Sequence, residues 1–406
     1  MLTVTIWIAS AVFGAGAAAA DDAPMYQEAF VFDPAQEDHG HVHASCVVEC
    51  PNGDLRAVWY ENGPALPPPY FSEQRDKSDD VRIGGSRKPK GADRWETPFV
   101  MADTFGVSDN NPCMVVDREN RLWLIHPTLL GVPENSWGSA LVQYHVSSDY
   151  ERPGPPKWLR ESILVVHPRG FEQALMTRFD ERGQERPRSE EQRQAALERV
   201  RERLKDPLKV RLGWMPRAHP LVRSDGAVLV PLANENFYVA AMAMSSDGGA
   251  TWTISEAVPG TGVSQPTVIE FPDGRMSAFF RNGRPEHRIL RSDSEDGGMT
   301  WGPLRATTLP HLNAGIEAVL LRNGHLAMIY NDKEEDPRDR LAVSISADRG
   351  ETWACTRHLE QTPGGRFDYP SLIQAQDGTL HATYSYNLKT VKHVHFNEAW
   401  VEQGDQ

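Results

Sequence analysis

An all-β fold, a six-bladed β-propeller with a short helical insertion, is what the sequence predicts. Six hairpin-like segments repeat along the chain, and a second motif ending in tryptophan recurs between them. The last four turn glycines stand roughly 50 residues apart, a period that suits one four-stranded blade per repeat. The first hairpin runs from Ala44 to Gly63 around Asn52-Gly53, and the second from Asn111 to Leu129 around Glu119-Asn120. The third runs from Arg217 to Tyr238 around Asp225-Gly226, and the fourth from Gln265 to Gly283 around Asp273-Gly274. The fifth and sixth are Gly315 to Asp332 (Asn323-Gly324) and Tyr369 to Asn387 (Asp377-Gly378). Asp-Gly and Asn-Gly adopt the positive φ that hairpin turns demand, and apolar strands flank each.

The gap between the second and third hairpins is about twice the others, so the region from Val165 to Lys209 is expected to protrude from the scaffold. Within it Ser189-Glu190-Glu191-Gln192 reads as a capping box, followed by a charged helix to Leu204 with Leu197, Val200 and Leu204 on one side. The sixth blade needs closing by the other end of the chain. Ala29-Phe30-Val31-Phe32 and His393-Val394-His395-Phe396 are the expected seam.

With 406 residues, 40% of them hydrophobic, the chain is long enough for a large core. The 42 basic and 56 acidic side chains leave a formal charge of −14, which argues against nucleic acid as a partner. Leu2 to Ala20 form an apolar, alanine-rich stretch ending Ala18-Ala19-Ala20. It reads as a secretory signal over residues 1–20, leaving a single propeller over 21–406, secreted or periplasmic, with no membrane span in the mature chain. The four cysteines (Cys46, Cys50, Cys113, Cys355) are too few for a disulfide framework and are expected to be buried free thiols.

The second motif is Ser245-Ser246-Asp247-Gly248-Gly249-Ala250-Thr251-Trp252. It recurs from Ser294 to Trp301 and from Ser346 to Trp353, with degenerate copies ending at Trp95 and Trp158. It resembles the Asp-box, or bacterial neuraminidase repeat, of sialidase-type propellers. Its role there is structural: the Asp holds turn amides, Gly supplies unusual φ, and Trp packs between sheets.

In a propeller the residues just before each innermost strand converge on one mouth of the channel. The repeats place His43, Asn110 with Asn111, Arg217 with His219, Gln265, Glu317, and Asp368 with Tyr369 in that ring. Arg281 ends a second strand. The resemblance to sialidases implies roles for several of these. Tyr369, in Asp368-Tyr369-Pro370-Ser371-Leu372, matches the family's tyrosine nucleophile. Arg281 and Arg338 match two of three arginines that hold a substrate carboxylate, with Arg340 a near alternative to Arg338. The family's proton donor is an Asp on the loop after the first hairpin, where Asp76, Asp79 and Asp80 all stand; spacing from Ser86 favours Asp76 and strand register favours Asp80.

Two positions depart from the pattern. The first arginine falls on His43, and the glutamate that activates the tyrosine falls on Gln265, which cannot serve as a base. The run His39-Gly40-His41-Val42-His43 could offer metal ligands on one strand face, but an exposed strand with one functional histidine, His43, is the plainer reading. No metal or other cofactor is called for. The expected function is a sialidase-like hydrolase acting on an acidic glycan, with Arg281, Arg338, Arg217, Glu317, Asn111 and His219 binding substrate. A uronate lyase, in which His43 or Tyr369 abstracts a proton, is the enzymic alternative, and a non-catalytic glycan-binding propeller the other.

Overall fold

The computed structural model describes residues 23–35, 39–73, 75–131, 136–185 and 189–405. The leader expected over residues 1–20 lies outside them. Six antiparallel sheets follow one another along the chain, four of them with four strands and two with five. The first blade is His43–Glu49, Leu55–Asn62, Val81–Lys88 and Phe99–Ala102, each strand paired with the next. The fourth (Val263–Glu270 to Arg305–Pro310) and fifth (Glu317–Leu320 to Cys355–Gln361) repeat that order. In the second and third blades the innermost strand is broken in two: Ser108–Asp109 with Cys113–Val116, and Trp214–Met215 with Leu221–Val222.

The sixth blade closes the ring. Its first three strands are Phe367–Gln374, Leu380–Tyr386 and Thr390–Phe396, and its outermost is the N-terminal Tyr26–Phe30, with Ala29 opposite His393 and Phe30 opposite Lys392. This ties the two ends of the chain through one ladder, so neither end of the described chain leaves a bare sheet edge at the seam.

Local sequence explains the hairpins. In five of the six turns a glycine with φ between 82° and 95° donates its N–H to the carbonyl three residues back, as Gly53 does to Cys50 and Gly274 to Phe271. In the second hairpin Asn120 does the same work at φ 57°, donating to Asp117 O. Asparagine is one of the few side-chain-bearing residues that tolerates that region.

The three Asp-boxes share one set of bonds. Asp247, Asp296 and Asp348 each accept the backbone N–H four residues on at 2.8–2.9 Å and the hydroxyl of the same threonine at 2.6 Å. The box glycine lies against the preceding blade: a Cβ at Gly249 would meet Tyr144 and Trp123, one at Gly298 Leu229, and one at Gly350 Phe279. The boxes thus lock neighbouring blades together at their outer turns.

The insertion forms three helices: α1 (Phe171–Glu185), α2 (Glu190–Leu204) and α3 (Pro207–Arg211). Ser189 and Gln192 complete the reciprocal capping box at the start of α2. Leu197, Val200 and Leu204 are half-buried and Ala196 is buried. All four cysteines are free; Cys46, Cys50 and Cys113 are buried, and Cys355 is half-buried. No helix among the described residues is long and apolar enough to cross a membrane.

Candidate active site

Four innermost strands are distorted at the same level of the channel. Ala44, Asn111, Gln265 and Tyr369 all take left-handed φ, between 37° and 52°, and none is glycine. The strand register slips around Ala44, Gln265 and Tyr369, between His43 and Cys46, Ser264 and Thr267, and Asp368 and Ser371. Such bulges cost about 1–3 kcal/mol each and turn side chains off the regular pleat. Here they project Asn111, Gln265 and Tyr369 into one cavity of about 600 Å³ at the mouth of the channel.

The cavity is centred on Tyr369. Its hydroxyl lies 2.8 Å from Arg281 Nη1 and 3.3 Å from Gln265 Nε2. Arg281 Nη1 also donates to Gln265 Oε1 at 3.1 Å, and its Nε donates to Asn313 Oδ1 at 2.8 Å. Burial alone would raise the Tyr369 phenol, but the charges of Arg281 and Arg338 and the bond from Gln265 outweigh it and hold the group below its ordinary value. Asp368, fully buried beside it, takes Arg338 Nη1 at 2.7 Å and Arg366 Nε on its other oxygen. Three guanidiniums (Arg281, Arg338, Arg366) therefore border one cavity.

His43 stands edge-on to Tyr369, ring centroids 4.3 Å apart, with Nδ1 3.1 Å from Ser385 Oγ. Burial pushes its imidazole down to about 3, so it is neutral at physiological pH. Asp76 lines the cavity and Asp80 does not: the Asp80 carboxylate is buried and accepts from Asn62 Nδ2 and Ser72 Oγ at 3.0 and 2.7 Å. The choice that strand register favoured is thus corrected, because Asp80 is consumed in anchoring its own loop.

Three more expected positions are corrected. Arg217 is buried beneath the cavity floor, donating to Ile316 O and Pro370 O at 2.6 and 2.8 Å, with its guanidinium carbon 5.6 Å from the Tyr369 ring centroid. It supports the tyrosine from below. His219 and Glu317 bind each other, Nδ1 to Oε1 at 3.0 Å, and line a separate cavity of about 290 Å³ at the far ends of the inner strands with Leu221, Ile269 and Leu320. The reason lies in the fifth blade. Gly315 occupies the ring position there, pressed so closely on Tyr369 that a Cβ would come within 3.2 Å of its ring, and Glu317 sits two residues deeper.

Sequence reasoning missed Arg366, Asn313, Trp137 and Glu235. Arg366 is two residues before Asp368, the spacing that shares a strand face, and that signal was available. Glu235 follows the strand Val228–Asn234 and carries a carboxyl that burial raises, against the opposing charges of Arg281 and Lys77. Lys77 lies 5.2 Å from the centroid of the Trp137 ring, and Trp137 and Glu235 both line the cavity. His39 pairs with Glu61 at 2.6 Å, away from His43, and among the described residues no group of three His, Cys, Asp or Glu is arranged to hold a metal ion.

A BNR repeat-like domain is recognised over residues 198–382. Over 166 residues, 39% of this chain and 25% of the relative, the sequence is 26% identical to a sialidase of Micromonospora viridifaciens. Over 150 residues, 32% of this chain and 39% of the relative, it is 30% identical to a sialidase of Clostridium perfringens. The chain thus spans well under half the length of these two curated relatives. The Hadza microbial sialidase Hz136 has the same fold, with a TM-score of 0.67 over 92% of this chain and 69% of that one at 15% identity.

Proposed function

The chain belongs to the sialidase-like BNR-repeat family, and from that premise we propose that it is a sialidase-type glycosidase acting on an acidic sugar. The observation that carries this reading is the arrangement of Arg281, Arg338 and Arg366 with the Tyr369 phenol around one cavity. A carboxylate offers guanidinium groups planar, bidentate partners, the strongest ordinary charge-assisted hydrogen bonds. Anchored there, the sugar presents its anomeric carbon to Tyr369 Oη. Asp76 is the acid for the departing oxygen, and Glu235, with Trp137 beside it, meets the hydroxyls of the sugar.

The reaction is written as two displacements. Tyr369 Oη, entering as the phenolate, bonds to the anomeric carbon as the glycosidic C–O bond breaks, and the leaving oxygen takes the Asp76 proton. Water then attacks the same carbon, breaks the tyrosyl bond and returns a proton to Asp76. A lyase reading is favoured by one observation, the neutral His43 beside Tyr369 where a glutamate base is missing. A secreted or periplasmic setting is part of this proposal, since the apolar stretch from Leu2 to Ala20 has the composition of a secretory leader.

The test is incubation with sialosides and, separately, with uronic polysaccharides, recording free sugar and the absorbance of unsaturated product. Free acidic sugar supports the hydrolase; unsaturated product transfers the assignment to a lyase. Neither product, with binding retained, leaves a glycan-binding propeller.

A further inference from the structure

Among the described residues the oxygen of Tyr369 has two hydrogen-bonding neighbours, and both can only donate to it. Arg281 has no acceptor. Gln265 could in principle present either end of its amide, but its other end faces Arg281 Nη1 at 3.1 Å, and that contact requires the amide oxygen. The NH₂ group is therefore the end that meets Tyr369 Oη at 3.3 Å, beside the guanidinium at 2.8 Å. Arg281 is itself fixed by Asn313. Among the described residues, both hydrogen bonds of Oη are ones that it accepts.

We propose that Gln265 is a positioning residue that, with Arg281, stabilises the phenolate form of Tyr369, so that the nucleophile of this site is activated by donors instead of by a base. The charges around the ring agree. Arg281 and Arg338 act on the oxygen, and Arg217 lies below the ring. Asp368 opposes them, but its carboxylate is engaged by Arg338 and Arg366. His43 stays neutral to about pH 3, and burial keeps the Tyr60 phenol protonated. A glutamate at position 265 would put a negative charge against the oxygen; glutamine stabilises the same oxygen by donating. The bond-forming step then moves no proton from the nucleophile, and the only proton transferred is the one Asp76 gives the leaving oxygen.

The identity of the carbon attacked rests on the glycosidase reading, whereas the ionisation of Tyr369 is measurable without substrate. Ultraviolet titration of tyrosinate in the wild-type chain minus that in Tyr369→Phe isolates this one phenol. The expected difference is a single ionisation below the ordinary tyrosine value of about 10. Gln265→Glu should move it up, and Gln265→Met, which only loses the donor, should move it up by less. A Tyr369 ionisation at or above the ordinary value in the wild type, or one that neither variant moves, overturns the proposal. Should Gln265→Glu fail to fold, the difference between wild type and Tyr369→Phe decides alone. A low Tyr369 ionisation in a protein that releases no acidic sugar would sink the glycosidase reading and leave this inference standing.

Discussion

Replacing Asp368 by Asn tests how the cavity holds its arginines. The Asp368 side chain is fully buried, and its two oxygens are bound by Arg338, at 2.7 Å, and Arg366. Removing one member of a buried ion pair costs about 3–5 kcal/mol, because the partner charge is left uncompensated. The half-exposed Arg366 adds well under ~1 kcal/mol. Asparagine keeps the shape and one acceptor, so a loss near the lower end, about 3 kcal/mol, is expected. A chain of this length unfolds with an entropy of about 0.8 kcal/mol/K, which converts that loss into a fall in Tm of about 4 °C. Thermal melts across a pH series check both size and origin. Burial raises the Asp368 carboxyl, but His43, Arg338 and Arg366 outweigh it and leave it below its ordinary value. Since His43 is neutral above about 3, the arginines carry that effect at neutral pH. A lowered folded value means stabilisation that is present above the unfolded value of about 4 and lost as pH falls through the folded one. The gap between wild type and Asp368→Asn should therefore hold steady near neutrality and narrow below about pH 4. Equal melting at pH 7, or a gap that widens on acidification, would refute the reasoning.

Four other outcomes are expected. Trp301→Ala empties a buried site at an outer turn, where the indole N–H donates to Gly298 O at 3.1 Å; it should cost about 3–5 kcal/mol in melting experiments while leaving turnover per folded molecule unchanged. Arg281→Lys keeps the charge but cannot bridge Asn313, Gln265 and Tyr369 together, so turnover should drop about tenfold or more in steady-state assays. Asp76→Asn should abolish cleavage of substrates with poor leaving groups and spare those whose leaving group needs no proton; equal loss on both would remove Asp76 from the acid role. Stability should fall as pH drops below about 6.5. Burial lowers His126 and His145 to about 4 and His381 to about 3, so the unfolded chain takes up protons first, and melting temperatures that stay flat from pH 7.5 to pH 5 would contradict this.

What was legible in the sequence was whatever is decided locally. The hairpin turns, the box bonds of Asp247, Asp296 and Asp348, and the cap at Ser189 each depend on residues within a few positions of one another. The closing seam was legible because a closed ring needs a strand from the far end. In the cavity, Tyr369, Arg281, Gln265 and His43 were found through their repeat positions and the family resemblance, and the structure brings them together. Glu235 and Trp137 were not found, because nothing in a single repeat says which loop ends lean over the mouth, whereas Arg366 was missed although its two-residue spacing from Asp368 marked it. His219 and Glu317 were misplaced by two residues of depth, since an even count along a strand preserves the face but not the level.

The bulges account for the difference. A side-chain-bearing residue at positive φ carries no mark in the sequence when it is alanine, glutamine or tyrosine, for which that region is unfavourable. Ala44, Asn111, Gln265 and Tyr369 nevertheless adopt it at one level of four blades, each held by regular pairing beyond the distortion. The paired strands and the closed ring over-determine these positions, so the local cost is borne by contacts made elsewhere. Straightening one bulge would shift its register by a residue and swing the side chain away from the cavity. The conformational exception and the chemistry therefore meet at two residues: Gln265 and Tyr369 break the local rule and place an amide and a phenol within bonding distance of each other and of the Arg281 guanidinium.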